Sequence, residues 1–166
     1  PTITSRLQQT LDKLQKPQTE SGRFIQAAAW WEGLKRSYQG RKLEFDAPGI
    51  EGGMLLPKEL FDSGADNFIQ NALRKQKLDQ AVSIRVVFRC GETVELSVCD
   101  TGTPVQAEVL RGLLRGPVQS DAGFGIGLYQ TARLAEISGY SLALSANEPG
   151  RVCFTLKGET RRGSQA

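Results

Sequence analysis

The chain has 166 residues, an apolar share of 39% and a net charge of +3. That length suits one domain with a short appendage, and that apolar share suits a chain that buries a real core. The charge is too small and too scattered to point to nucleic acid, no apolar run approaches a membrane span, and the absence of histidine excludes Ser-His-Asp chemistry and histidine-ligated zinc.

The chain begins Pro1-Thr2-Ile3-Thr4, with neither an initiator Met nor a basic-then-apolar signal pattern, and so reads as a piece of a longer protein. Leu7, Leu11 and Leu14 recur at helical spacing until Pro17 and Gly22 interrupt them. A second helix is expected over Arg23 to Tyr38, with Phe24, Ala28, Trp31 and Leu34 on one side and Gly40 as its stop. Short strands follow at Lys42 to Phe45 and Met54 to Leu56, separated by a Gly-rich turn from Gly49 to Gly53. Pro57 suits the first position of a long helix, where its missing N–H would have no partner. Along it Leu60, Phe61, Gly64, Ala65, Phe68, Ile69, Ala72 and Leu73 form a wide apolar face.

Val82 to Cys90 is rich in β-branched residues and Thr93 to Cys99 alternates strictly, with Gly91-Glu92 between them as a hairpin turn. An irregular stretch from Asp100 to Ala122 carries one short helical patch, Ala107 to Leu114. A loop of that length in a compact domain is usually functional or disordered. Gly123 to Ser138 then reads as a helix entered through glycines. The strands Tyr140 to Ala146 and Arg151 to Lys157, joined by Asn147-Glu148-Pro149-Gly150, close the fold. The basic end, Lys157 to Arg162, reads as frayed. Cys90, Cys99 and Cys153 sit in or beside apolar strand-like runs without a C-x-x-C pair, which predicts buried free thiols in a reducing compartment. Strand and helix do not alternate. The expectation is an α+β two-layer sandwich, a mixed, mostly antiparallel sheet with helices on one face.

Three local patterns carry chemistry. Asn67, Asn71 and Arg74 fall within an arc of about 60° on the long helix, at the edge of its apolar stripe. Two amides and a guanidinium there can ligate a hard cation and pair with phosphate, or form a solvated face; asparagine is a poor helix former, so two in mid-helix call for a reason. Asp100-Thr101-Gly102 ends an apolar strand. Its carboxylate can accept a bond from the exocyclic amine of a base while the glycine lets a ligand approach the backbone. The same tripeptide is also an ordinary turn, and it resembles the active-site loop of retroviral-type aspartic proteases. Gly123-x-Gly125-x-Gly127 opens a helix, where backbone N–H groups and the helix dipole favour a polyphosphate. It is neither a dinucleotide fingerprint nor a P-loop, and alone it could be a hinge.

In this order the patterns resemble the ATP-binding domain of sensor histidine kinases, within the superfamily that includes gyrase, Hsp90 and MutL. Asp66-Asn67-Phe68-Ile69-Gln70-Asn71-Ala72-Leu73-Arg74 resembles the N box. Val98-Cys99-Asp100-Thr101-Gly102-Thr103-Pro104 resembles the first glycine box and Gly123-Phe124-Gly125-Ile126-Gly127-Leu128 the second. Gly150-Arg151-Val152-Cys153-Phe154-Thr155-Leu156 resembles the last strand, so the likeness runs from Arg41 to Lys157. It departs between the glycine boxes, where Leu110-Arg111-Gly112-Leu113-Leu114 stands without the family's phenylalanine.

The resemblance implies the superfamily's two-layer sandwich and a site for ATP with Mg²⁺. Asn71 would coordinate Mg²⁺ with Asn67 in support, Arg74 would lie near the phosphates, and Asp100 would take the adenine amine. Gly102 would make room for the ring, and Gly123, Gly125 and Gly127 would let lid and helix start approach the phosphates. Residues 1–40 would be a helical linker or the end of a dimerisation helix, 41–158 the ATP-binding domain and 159–166 a disordered tail. The implied function is donation of the γ-phosphate to a histidine outside this sequence, in a cytoplasmic domain of a membrane-bound, homodimeric sensor. Its partners would be the histidine-containing dimerisation domain of the same protein and the receiver domain of a response regulator. A nucleotide-binding regulatory module of the same fold is the first alternative, and the aspartic protease a distant one.

Overall fold

A computed structural model describes residues 23–113 and 125–163. Their elements run β1 (Phe24–Gln26), α1 (Ala27–Ser37), β2 (Glu44–Ile50), β3 (Met54–Pro57), α2 (Lys58–Leu78), β4 (Ile84–Cys90), β5 (Thr93–Asp100), α3 (Ala107–Leu113), α4 (Gly125–Ile137), β6 (Ser141–Glu148), β7 (Arg151–Glu159) and β8 (Arg161–Arg162). The main sheet has the order β2-β4-β5-β7-β6, and a smaller one has the order β1-β3-β8. Only β2·β4 is parallel; β4·β5, β5·β7 and β6·β7 are antiparallel. The expected mixed, mostly antiparallel architecture is the one observed.

Alternation explains why helices cover a single face. In β4, Ile84, Val86, Phe88 and Cys90 are buried while Arg85 and Arg89 between them are exposed. In β5, Val94, Leu96 and Val98 are fully or nearly buried, as are Val152, Phe154 and Leu156 of β7. These residues share one core with Leu60, Phe61, Phe68 and Ile69 of α2 and with Trp30 and Trp31 of α1. The opposite face carries Ser97, Thr155 and Ser145, whose hydroxyls bond to one another. Most of its side chains are polar, so it needs no second layer. An aromatic cluster packs on β4. Trp31 stacks on Phe88 with centroids 5.3 Å apart, and Trp30 meets Phe61 edge-on at 5.4 Å. Trp30 Nε1 donates to Asp62 Oδ1 at 3.0 Å, so the indole is buried with its polar atom satisfied.

Several expectations need correction. Phe24 to Gln26 is a strand, not the first turn of a helix, because this backbone pairs antiparallel with Leu55 to Pro57. Pro57 is the extended residue just before α2 rather than its first helical residue, with φ −64° and ψ 110°. β2 is longer than expected and runs through Pro48 and Gly49; it is an edge strand with a register shift between Asp46 and Gly49, where a residue without an N–H is tolerated. The linker expected over 1–40 does not describe residues 23–40, since Trp30 and Trp31 belong to the core. Nor is the start of 159–166 a loose tail: β7 includes Glu159, and Arg161 and Arg162 pair with Leu55 and Met54. The helix expected around Leu7, Leu11 and Leu14 lies outside the described residues.

The cysteine expectation also changes. Cys99 and Cys153 stand directly opposite each other on β5 and β7 and form a disulfide, with Cα atoms 4.1 Å apart. Cys90 alone is a free, buried thiol. The pairing depends on sheet register between residues 54 apart in sequence.

Candidate functional site

The site expected from sequence is built on one edge of α2, on the turn after β5 and on the start of α4. Helical spacing decides the first part. Asn67, Asn71 and Lys75 follow one another at intervals of four and so form one ridge of α2. Each has a different neighbour.

Asn67 faces α4. Its Nδ2 donates to Ser63 O at 2.8 Å and to Thr131 Oγ1 at 3.0 Å. Thr131 in turn donates to Gly127 O at 3.1 Å and is fully buried. A Cβ placed on Gly127 would lie 1.9 Å from Asn67 Oδ1. Gly127 is thus a point of close approach between the two helices, and only a residue without a side chain lets the Asn67 amide lie against α4. Gly125 is the first residue of α4. Gly123 and the rest of the stretch expected to act as a lid, 114–124, lie outside the described residues.

Asn71 is 5% exposed. Its Oδ1 accepts from Arg74 Nη1 at 2.9 Å, while its Nδ2 has no partner. A buried amide nitrogen left unpaired costs about 1–3 kcal/mol. Such an orphan suits a ligand that supplies an acceptor, which a phosphate does. Arg74 is itself exposed, so its guanidinium reaches solvent and can change partners.

Asp100 ends β5 and is 6% exposed. Its Oδ1 accepts from Gly102 N at 2.9 Å, which closes the turn. The rest of the turn is pinned by three bonds, two with Ser83 and one with Gly150. Thr101 N donates to Ser83 O at 3.1 Å and Ser83 N donates to Thr101 Oγ1 at 2.8 Å. Gly150 N donates to Gly102 O at 3.1 Å. Gly150 has φ +83°, a conformation glycine adopts without strain, and this lets the β6–β7 turn reach back to Gly102. Further along, Asn147 clamps Val105 through Oδ1 to its N–H at 2.7 Å and through Nδ2 to its carbonyl at 2.9 Å.

Sequence reasoning missed Lys75. Its Nζ lies 3.1 Å from both Asp100 oxygens and donates to Thr103 O at 2.8 Å. The only signal in the sequence was its position on the Asn67–Asn71 ridge. A cleft of 670 Å³ reaches Asn67 and Gly127 from the Asp62 and Asp66 side, but its walls do not include Asn71, Asp100 or Gly102. The expected residues therefore gather on one face of the domain in two halves, an amide half against α4 and a carboxylate half closed by Lys75.

The family model described as histidine kinase-, DNA gyrase B- and HSP90-like ATPase matches residues 61–161, which include most of α2, both sides of the site and β7. The adaptive-response sensory kinase SasA of Parasynechococcus marenigrum (strain WH8102) is 33% identical over 132 residues, covering 74% of this chain and 34% of that protein. The chain thus spans about a third of that relative's length. Full-length ShkA in complex with AMPPNP superposes with a TM-score of 0.70 at 15% identity, over 86% of this chain and 32% of that one. Histidine kinase ThkA in complex with the response regulator protein TrrA does so with a TM-score of 0.64 at 14% identity, over 95% and 48%. At these identities the two structures speak for the fold.

Proposed function

The chain belongs to the family of histidine kinase-, DNA gyrase B- and HSP90-like ATPases, and from that premise we propose that it binds ATP with Mg²⁺ and presents the γ-phosphate to a histidine outside this sequence. The observation that carries the reading is Asn71, a buried amide in mid-helix whose nitrogen has no partner. In a helix built only for packing that position would be apolar, as its neighbours Ala72 and Leu73 are.

The residues divide the work. Asp100, anchored by Gly102 N, offers its carboxylate to the exocyclic amine of adenine. Asn71 offers Nδ2 to a phosphate oxygen; its Oδ1 suits a hard cation once Arg74 releases it, and Arg74 then pairs with phosphate. Mg²⁺ supplies neutralisation of phosphate charge when bound. Asn67 positions the start of α4, so that the backbone N–H groups of Gly125 and Gly127, with Gly123 before them, meet the polyphosphate. Phosphoryl transfer is mostly positioning and charge stabilisation, so a chain without histidine is chemically sufficient for the donor half of the reaction. The protease reading is set aside, because it accounts neither for the family match over 61–161 nor for the amides of α2.

The acceptor would be a histidine on a dimerisation domain of the same protein, in a homodimer, with the receiver domain of a response regulator downstream. The ThkA–TrrA complex supports the last point by analogy of fold. We place this domain in the cytoplasm, where ATP is available, as part of a membrane-bound sensor; among the described residues no helix is long and apolar enough to cross a membrane.

Calorimetry with a non-hydrolysable ATP analogue and Mg²⁺ tests the reading. The expected result is binding by the 166-residue chain that Asn71→Ala and Asp100→Asn each weaken by about tenfold or more, the loss of one charge-assisted bond. No binding by any form at millimolar ligand would sink it. The engaged Asp100 carboxylate keeps a second reading in play, a regulatory module of this fold that binds nucleotide without phosphorylating anything. Autophosphorylation of the full-length protein separates the two.

A further inference from the structure

The carboxylate half of the site is closed by the chain itself. Lys75 Nζ sits 3.1 Å from both Asp100 oxygens, on the carboxylate expected to read the base. Its stem lies across Gly102: a Cβ built on that glycine would be 2.9 Å from Lys75 Cδ and 3.6 Å from Lys75 Cβ. The room a missing side chain leaves at Gly102 is therefore shared by lysine methylenes and by Asp100 Oδ1 at 3.0 Å. The third contact, Nζ to Thr103 O at 2.8 Å, fixes the ammonium in that position. The side chains are 15% and 6% exposed, so this ion pair is far better sheltered than the others of the described residues.

We propose that Lys75 is a tethered competitor for the base end of the nucleotide site, its ammonium holding the place of the base's exocyclic amine on Asp100 and its stem the place of the ring over Gly102. The proposal rests on the nucleotide-binding reading of Asp100 and Gly102. Lys75 and a nucleotide base exclude each other. Binding then takes only the fraction of molecules in which Lys75 has swung out, and apparent affinity falls by that fraction. Lysine suits this role. Its flexible four-carbon stem can leave for solvent, and the ammonium is strongly hydrated once there.

The effect is confined to one end. A ligand that engages only the phosphate half, against Asn71 and α4, does not meet Lys75. Two probes therefore separate competition at the base from a general change in the domain: ATP with Mg²⁺, and inorganic tripolyphosphate with Mg²⁺. Two variants separate the ammonium from the stem: Lys75→Met keeps most of the stem and removes the charge, and Lys75→Ala removes both.

The test is calorimetric titration of the 166-residue chain and of both variants with each probe, after circular dichroism shows native helix content. The expected result is ATP binding about threefold tighter in Lys75→Met and about tenfold tighter in Lys75→Ala, a tenfold gain meaning a site open about a tenth of the time, with tripolyphosphate affinity unchanged. Equal or weaker ATP binding in both variants overturns the proposal while leaving the nucleotide reading intact. An equal gain for tripolyphosphate also overturns it, because the change would not be at the base. If no form binds ATP at millimolar concentration, the nucleotide reading fails and the proposal fails with it. If one variant does not fold, the other still decides.

Discussion

Helix α2 borders two regions that solve burial in opposite ways. Towards β4 it contributes Phe61 to a cluster with Trp30, Trp31 and Phe88, in which rings meet at 5.3–6.4 Å and the polar atom of Trp30 is bonded to Asp62. Towards α4 and the end of β5 it contributes Asn67, Asn71 and Lys75, which bond to Thr131, Arg74 and Asp100. The aromatic region is complete as it stands. The polar seam satisfies itself with internal partners and still leaves one buried nitrogen without any. The first region should set stability and be indifferent to nucleotide; the second should contribute little stability and respond to nucleotide.

The sharpest break of this contrast is Phe88→Ala. Phe88 is fully buried and touches both tryptophans and Phe61. Its removal should cost about 3–5 kcal/mol, a large part of a domain's total. Urea unfolding measures it. Calorimetry at a temperature where the variant is still folded should give an unchanged ATP affinity. A loss under about 1 kcal/mol, or a matching loss of affinity, would erase the distinction between the two regions.

The same division governs what could be read from sequence. Local patterns were legible: the apolar face of α2, the strict alternation of β5 and the glycine-led start of α4 each depend on residues close in sequence. What pairing decides was not. Phe24, Ala28, Trp31 and Leu34 do have helical spacing, yet β3 draws Phe24 to Gln26 into a strand. Arg161 and Arg162 look like a charged end until they pair with β3. Cys99 and Cys153 become a disulfide only through the register of β5 on β7. In the site, Asn67, Asn71 and Asp100 stood out because those residue types are unusual where they are. Lys75 did not, since a lysine near the end of a helix is ordinary and complements the helix dipole; only the fold brings Asp100 to it.

A pair of glycine substitutions sharpens the contrast at smaller cost. Gly158 lies under Tyr140, and a Cβ there would be 2.4 Å from the ring, which is held by its hydroxyl bond to Glu159 O at 2.8 Å. Gly158→Ala should cost about 1–3 kcal/mol through overpacking and leave nucleotide binding alone. Gly127→Ala pushes on Asn67 Oδ1 instead. The amide can turn away at the expense of its bonds to Ser63 and Thr131, and a helical alanine recovers about 1 kcal/mol over glycine. Its stability should therefore change by less than about 1 kcal/mol while ATP affinity falls several-fold. If the two variants show the same pattern, the seam is merely more core.

The smallest effect lies at alkaline pH and belongs to the aromatic side alone. Burial, with Glu51 nearby, pushes the Cys90 thiol from 9.0 up to about 11. Burial, with Cys90 nearby, pushes the Tyr140 hydroxyl from 10.0 up to about 12. A raised value means that the folded protein holds the proton where the unfolded chain has released it. The stability these groups contribute is thus complete below pH 9, declines as pH rises through the window from 9 to about 12, and is lost above it. Urea midpoints should fall through the accessible part of that window, and Cys90→Val, which keeps an apolar group in the core, should flatten the first part of the decline. Wild type and variant with superimposable pH curves would show that the Cys90 proton has no part in it. ATP affinity gives the complementary reading: neither Cys90 nor Tyr140 touches Asn71, Lys75 or Asp100, so Cys90→Val should leave it unchanged across the same range.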